Sequence, residues 1–359
     1  MHRNKKAWAI IGAIAVLVKI FSLFPSAVEK YYSNGFYQVS SKLQRLLFGW
    51  IPFSIGDIVY GIAVIWLVVK LFRFLRVLVL RRANKLFWKN TMIWSVFWLL
   101  FVYSAFNILW GLNYNRIGMA RQMQLKMAPY SKEELTTVLK VVVQRICETA
   151  GGSLVTRNNY LKKSNLFNEA FQSYQEAQPQ FNHLAYSFKS VKPSLFSYLG
   201  DYMGYTGYYN PITGEAQVNI TVPVFTRPYT TCHEMGHQLG YAKENEANFA
   251  GYLSAKSSGD AAFRYSVYYD LYSYGIRELY FNDSTAALAL SKTLHPQVKK
   301  DYKALMAFYD QYQSPLEPLI RSLYGQYLHA NEQPGGMKSY SEVMAFLVAY
   351  YKKYGANAL

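Results

Sequence analysis

Two histidines and a glutamate lie close together in a chain of 359 residues that contains six histidines in all. His233 and His237 are four residues apart, so on a helix they lie on one face, one turn apart, and can bind a single metal ion. Glu234 follows the first histidine, and its carboxylate can take a proton from a water on such an ion. This HExxH spacing predicts zinc-dependent peptide hydrolysis, with Glu234 as the general base.

A third metal ligand must come from elsewhere, because a catalytic zinc site usually takes three protein ligands and leaves one position for water. Glu244 and Glu246 follow His237 at the start of a predicted second helix over residues 244–256, after a break at Gly240. Two positions apart on a helix, their side chains would point about 200° away from each other, so only one can face the ion. The spacing alone leaves both carboxylates as candidates.

The first third of the chain contains three apolar stretches: residues 8–24, 51–69 and 92–112. Each has roughly the 17–20 residues that cross a ~30 Å hydrocarbon core as a helix. Only Lys19 and Asp57 interrupt the first two stretches, and the third carries no charge. The first stretch follows basic residues, as a signal peptide does, but it is long for one and has no clear cleavage site. We therefore expect three uncleaved transmembrane helices.

Basic residues near these stretches predict their orientation. Nine Lys and Arg residues lie in the amino-terminal tail and after the second stretch, against three between the first two stretches. Since loops rich in Lys and Arg remain in the cytoplasm, the amino terminus is predicted to be cytoplasmic. Residues 1–113 would then be the membrane domain of a multi-pass protein of the cell membrane, and residues 114–359 an extracytoplasmic domain.

The formal charge of +17 is explained mostly by basic residues near the predicted transmembrane helices. Residues 1–113 carry 14 of the 38 Lys and Arg residues but only 2 of the 21 Asp and Glu residues. Most of the excess thus lies beside the bilayer, where anionic lipids attract it. No basic stripe indicates nucleic-acid binding, so the expected partners are the lipid bilayer and a peptide or protein substrate.

The remaining sequence predicts a mainly α fold with a small β-sheet. Residues 207–214 form a turn cluster, and the alternating residues 215–222 predict a half-exposed strand that can pair with an extended substrate. Ser followed three residues later by Glu predicts helix starts at Ser131 and Ser339. Further helices are predicted over residues 164–177, 259–280, 296–312 and 315–330.

The two cysteines, Cys147 and Cys232, are too few for a disulfide framework. Cys232 precedes a candidate metal ligand, and adjacent side chains on a helix diverge by about 100°. We expect it to be a small buried residue and not a ligand.

Three sequence blocks after the apolar stretches carry a resemblance to a known family. They are GYYNPITGEAQVN at residues 207–219, HEMGH at residues 233–237 and ENEANF at residues 244–249. Together they resemble the bacterial membrane family known as domain of unknown function 3810, and the resemblance covers nearly the whole chain. That family is grouped with the zincin-like metallopeptidases by its motif, which implies their fold and a Zn²⁺ ion but names no substrate.

The resemblance also distinguishes the two candidate carboxylates. The pattern from Glu244 to Asn248 resembles the element that supplies the third ligand in gluzincin metallopeptidases. It implies that Glu244 binds zinc with His233 and His237, and that Asn248, where the pattern has Asp, orients a histidine.

The expected function is that of a membrane-anchored zinc peptidase. The alternative is a receptor or scaffold in which zinc stabilises the fold and no peptide is cut. Tyr209 and His329 are candidates to stabilise the oxyanion of a peptidase reaction.

Overall fold

The computed structural model describes residues 5–331, 333 and 342–359. The described chain is mainly helical and contains one three-stranded sheet. Its α-helices are α1 (Lys5–Ser22), α2 (Pro25–Ala27), α3 (Tyr37–Phe48), α4 (Ile55–Val79), α5 (Lys85–Leu109), α6 (Met119–Gln122), α7 (Lys132–Thr156), α8 (Lys163–Ala177), α9 (Ser197–Met203), α10 (Arg227–Gln238), α11 (Glu244–Ser257), α12 (Ala261–Asn282), α13 (Ser284–Lys292), α14 (Pro296–Gln311), α15 (Leu316–Ala330) and α16 (Val343–Tyr354). The strands are β1 (Val191–Pro193), β2 (Gly207–Asn210) and β3 (Glu215–Val218), and a π-helix (Val28–Phe36) joins α2 to α3.

Within the described residues, the helices predicted after residue 113 are confirmed. Those expected at 164–177, 259–280, 296–312 and 315–330 correspond to α8, α12, α14 and α15. The Ser131 hydroxyl accepts from the Glu134 N–H at 3.3 Å, and the Glu134 carboxylate accepts from the Ser131 N–H at 2.9 Å, which is the predicted helix start. The second such start, at Ser339, lies outside the described residues.

The three apolar stretches coincide in large part with α1, α4 and α5. Within the described chain, α5 is long and apolar enough to cross a membrane. The helix α1 and its continuation Pro25–Phe48, bent by 99°, pass the same test as a pair. One or two helices of the structure could therefore span a bilayer by length and composition.

Residues 25–57 pack against the region that follows residue 113. Tyr37 is fully buried, and its hydroxyl donates to the Gln238 carbonyl at 3.1 Å. Arg45 is also buried and donates to the same carbonyl at 3.1 Å. Glu29 forms an ion pair with Arg116 at 2.7 Å. The segment between the first two apolar stretches is thus part of the body that holds the histidines.

The sheet has the order β1-β3-β2, with β1 parallel and β2 antiparallel to β3. The predicted turn at 207–214 is wrong in its first half, because residues 207–210 form β2. The Asn210 side chain accepts from the Ile212 and Thr213 N–H groups at 2.9 and 3.2 Å, so the reversal begins only there. The predicted strand 215–222 ends at Val218, and the Asn219 side chain beyond it donates to Asp201 at 2.7 Å. The prediction that this strand is half-exposed and can pair with a substrate is wrong, because its four residues are buried and it lies between β1 and β2.

Two buried carboxylates connect the sheet to the start of α4. Glu215 accepts from the Gly56 N–H at 2.7 Å and from the Ile55 N–H at 3.2 Å. Asp57 accepts from the Leu195 N–H at 2.6 Å and from the Tyr208 hydroxyl of β2. Negative charge at a helix amino terminus is favourable, so these contacts hold β2 and β3 against the end of α4.

Candidate metal centre

Helix α10 carries the HExxH residues and ends in a tight reversal. Gly240 has φ of +85°, the left-handed conformation that favours glycine. Its N–H donates to the His237 carbonyl at 3.0 Å, and the Tyr241 N–H donates to the Gly236 carbonyl at 3.3 Å. These two bonds form a Schellman motif, which satisfies the last carbonyls of α10 and directs the chain back toward α11.

Two glycines let α10 and α11 approach each other closely. A Cβ atom on Gly236 would lie 3.2 Å from the Ala247 carbonyl oxygen. On Gly251 it would lie 3.0 Å from the backbone nitrogen of His233. Side chains at either position would push the helices apart, so the distance between their polar groups depends on both glycines.

The start of α11 faces the two histidines. The Glu244 Oε2 atom lies 3.3 Å from His233 Nε2 and 3.7 Å from His237 Nε2. The possible ligand atoms of His233, Glu234 and His237 lie within 4.8 Å of one another. All four side chains are buried. The structure therefore brings together every residue that the sequence predicts for the metal site and the general base.

Glu246 points elsewhere. Its Oε1 atom accepts from the Met119 N–H at 3.0 Å, at the first residue of α6. A Cβ atom on Gly118 would overlap the same carboxylate, so the carboxylate packs tightly against that backbone. Of the two candidates, only Glu244 lies against the imidazoles.

Burial and the neighbouring charges shift the titration of these groups. Burial raises the pKa of Glu234 to about 7; the imidazoles lower this pKa and Glu244 adds to the increase. For Glu244, burial opposes ionisation, yet the adjacent imidazoles of His233 and His237 bring its pKa well below the ordinary value. Burial lowers the pKa of His237, but Glu244 outweighs it and the pKa rises to about 9. The cluster thus favours a charged pair of the Glu244 carboxylate and the His237 imidazole.

The site has unmatched acceptors of the kind that a cation satisfies. Within the described part of the chain, no hydrogen bond reaches Glu234 Oε2, and Glu244 Oε2 has only the imidazoles nearby. A buried carboxylate oxygen without a donor is costly. Two imidazoles and one carboxylate form a donor set that fits a transition-metal ion, so this buried His-Glu-His cluster could hold a metal.

The second oxygen of Glu244 has its own partner, which the sequence analysis missed. The Tyr324 hydroxyl, on α15, donates to Glu244 Oε1 at 2.7 Å. The Glu244 N–H donates to the Gln333 side chain at 2.9 Å. Both residues lie 80 or more positions after Glu244 in segments without a motif, so no local pattern could have indicated them.

Other contacts hold the second histidine. His237 Nδ1 lies 2.7 Å from the Tyr241 carbonyl, which fixes the ring with Nε2 toward Glu244. The Trp110 indole donates to the His237 carbonyl at 3.2 Å, and Trp110 follows α5 directly.

Asn248, predicted to orient a histidine, accepts from the Tyr229 hydroxyl at 3.2 Å.

A cleft of about 1490 Å³ lies over the cluster. Glu234 lies at its wall beside β2, and a Cβ atom on Gly207 would be 2.6 Å from Glu234 Oε1. Tyr209 also lines the cleft, but its hydroxyl pairs with Tyr37 at 3.2 Å. His329 is exposed on the last turn of α15 and is not among the residues that line the cleft.

Cys232 is buried behind the histidines, as predicted. Its sulfur lies 3.5 Å from the Ser173 hydroxyl, and burial raises the pKa of its thiol to about 12. Both Cys232 and Cys147 are free thiols.

The fold and site define a mainly helical protein with a small sheet and a buried His-Glu-His cluster at an open cleft. The chain belongs to the family described as protein of unknown function (DUF3810), whose model matches residues 32–348. The match includes α10, α11 and the sheet, so the cluster lies within the family region. No curated protein and no solved structure shows significant similarity to the chain.

Proposed function

We propose that this protein is a membrane-anchored, zinc-dependent peptidase of the zincin-like, gluzincin type, with its site outside the cytoplasm. The observation that carries the proposal is the position of Glu244 Oε2, 3.3 and 3.7 Å from the two Nε2 atoms, beside the carboxylate of Glu234. His233, His237 and Glu244 would be the zinc ligands. Two histidines and a glutamate are a ligand set of catalytic zinc sites.

Glu234 distinguishes an enzyme from a scaffold. A structural zinc site needs ligands, but it has no use for a further buried carboxylate at the wall of an open cleft. Bound zinc would polarise the scissile carbonyl and lower the pKa of a coordinated water. Glu234 would accept the proton of the attacking water and pass it to the leaving amine.

The cleft supports a peptide substrate. Strand β2 is at the edge of the sheet, and its residues Gly207, Tyr208 and Tyr209 line the cleft next to Glu234. An edge strand can pair with an extended chain through main-chain hydrogen bonds. Such pairing would place a substrate carbonyl along β2, in reach of the ligands and of Glu234.

Three transmembrane helices are part of the proposal. Helices α4 and α5 expose apolar side chains over most of their surface, among them Ile62, Ile65, Leu99 and Val102. Together with α1 they would cross the membrane three times, with residues 114–359 outside. A reporter fused after Leu359 should be active outside the cytoplasm, and one inserted near Asn84 inside. A cytoplasmic signal at Leu359 would contradict the topology.

The decisive experiment compares the wild type with Glu234→Gln in cells. Both proteins should contain about one zinc ion per chain, because the substitution removes no ligand. Extracytoplasmic proteins cut by the wild type should remain intact with Glu234→Gln, since loss of a general base slows the reaction by about 10²–10⁴-fold. Glu148→Gln, on the surface of α7, is the matched control and should cleave normally.

Two results would contradict the proposal in different ways. Absence of zinc in wild-type protein, even after zinc is added back, would exclude the metal site. Zinc at full occupancy with identical cleavage in both proteins would favour the receptor or scaffold.

A further inference from the structure

Helices α9 and α15 lie near the ends of two of the proposed transmembrane helices. Phe196, just before α9, is 3.8 Å from the position of a Cβ atom on Gly61. Gly61 lies about 9 Å along α4 from its first residue, at 1.5 Å per residue. On α15, the Tyr327 ring packs edge-on against Phe106 of α5, with centroids 6.2 Å apart. Both helices therefore flank the ends of α4 and α5 that join the rest of the structure.

Each of these helices exposes apolar side chains next to that contact. On α9, Tyr198 is 70% and Leu199 is 50% exposed, and on α15 Leu319 is 54% and Leu323 is 52% exposed. Leu199 lies one turn after Phe196, and Leu323 one turn before Tyr327, so each leucine borders the residue that contacts a proposed span. The exposed apolar surface of α4 and α5 therefore continues onto α9 and α15.

The other side of α15 belongs to the cleft. Arg321 and Tyr324 line it, and Tyr324 donates to the proposed ligand Glu244. Arg321 and Leu319 are two positions apart, about 200° on a helix, so Leu319 points away from the side that carries Arg321. A helix with one apolar and one polar face, placed beside transmembrane helices, suits the boundary between lipid and water.

We infer that the apolar faces of α9 and α15 lie in the outer leaflet of the bilayer, so that the wall of the cleft lies at the membrane surface. Leucine and tyrosine side chains are suited to this depth, since tyrosine concentrates at the interface between lipid and water. The occupant of this surface is lipid, because the surface is continuous with the apolar sides of two proposed spans.

This location indicates a substrate class, an inference that rests on the proposed function. Trp110, the first residue after α5, contacts the His237 carbonyl, so the metal site lies within one side chain of the end of a span. The chain that fits such a site is a polypeptide tethered to the membrane, by its own span or by lipid, and cut next to the bilayer.

The location can be measured with fluorescent labels on the full chain. Leu199→Cys, Tyr198→Cys and Leu319→Cys would each be made in a Cys147→Ser background; Cys232 is buried. The proteins are reconstituted in vesicles of phosphatidylethanolamine and phosphatidylglycerol. Quenching by lipids with a spin label just below the headgroup is compared with quenching by aqueous iodide. Val155→Cys, 80% exposed on α7, is the matched control, and Leu99→Cys reports on the span α5.

Labels at 198, 199 and 319 should be quenched at least twofold more by the shallow lipid than the label at 155, and protected from iodide. Equal behaviour of these labels and the label at 155 would overturn the inference, and a soluble protein partner would then be the occupant to seek. Quenching of the label at 99 by aqueous iodide would instead contradict the proposed span.

Cleavage supplies a second test. One peptide library is tested in two forms: attached to the same vesicles through a lipid anchor, and free in solution. The wild type should cut the anchored peptides at least tenfold faster, and Leu319→Asp should remove this preference without slowing cleavage of free peptides. Leu161→Asp, at another exposed leucine, should change neither rate. Equal rates for both forms would overturn the substrate class; no cleavage beyond that of Glu234→Gln would contradict the proposed peptidase, while the labels still report the location.

Discussion

The Tyr324 hydroxyl holds one oxygen of Glu244 at 2.7 Å, while the other oxygen lies between two imidazoles. One oxygen of the carboxylate therefore contacts a tyrosine on α15, and the other faces the candidate metal ligands on α10. A partner of this kind orients a ligand and commonly affects metal affinity by about 10–100-fold when it is lost.

Tyr324→Phe should therefore lower zinc affinity by about 10-fold, measured by competition with a chelator on the full chain in detergent. The aromatic ring stays, so the packing of α15 should change little. Tyr309→Phe removes a hydroxyl from another tyrosine of the same cleft and is the control. Equal affinities for Tyr324→Phe and the wild type would mean that the histidines alone position Glu244.

The two neighbouring carboxylates should behave differently on substitution. Glu244→Gln removes the charge that faces both imidazoles, so zinc retention should fall by at least about 10-fold. Glu246→Gln keeps an oxygen to accept from the Met119 N–H, and zinc retention should stay near that of the wild type. Zinc content after dialysis measures both effects. The reverse order would assign the third ligand to Glu246.

The local sequence predicts much of the candidate site, because its main groups lie within 12 positions. The spacing of His233 and His237 determines their shared face, and Gly240 determines where α10 ends. The choice of Glu244 required a resemblance, since two carboxylates had suitable spacing. In the structure, the Glu246 carboxylate accepts a hydrogen bond from the N–H of Met119, a residue distant in sequence.

Contacts between segments distant in the chain could not be predicted from local sequence patterns. The length of the apolar stretches predicted helices in the first third of the chain, but it could not show that Tyr37 and Trp110 would contact the end of the metal helix. The start of β2 was missed because Gly207 and Asn210 are typical of turns. In the structure β2 pairs with β3, and the absence of a side chain on Gly207 leaves room for the Glu234 carboxylate.

A half-buried histidine away from the cluster predicts a pH dependence of stability. Burial, together with the nearby Arg116, lowers the pKa of His183 to about 4. Protonation therefore favours the unfolded chain, where the pKa is about 6.5. This contribution to stability is complete above about pH 6.5 and is lost as the pH falls toward 4, by up to about 3 kcal/mol.

Thermal unfolding of the full chain at pH 7 and pH 4.5 measures this effect. The variant His183→Leu should lose less stability than the wild type between these two values. The other titratable groups are the same in both proteins, so their contributions cancel in the comparison. An identical loss in both proteins would show that His183 is protonated in the folded state.

Gly207 should matter for turnover more than for metal binding. A Cβ atom there would lie 2.6 Å from Glu234 Oε1 and 2.9 Å from the Gln217 carbonyl oxygen, so Gly207→Ala must displace the carboxylate or the strand. A displacement of about 1 Å can reduce a rate by about 100-fold, and we expect a loss of that order in peptide cleavage. Zinc content should stay near one ion per chain, because no ligand is touched. Gly151→Ala, where a Cβ atom meets nothing within 4 Å, is the matched control and should cleave normally. Normal cleavage by Gly207→Ala would mean that Glu234 does not act from the position it has beside β2.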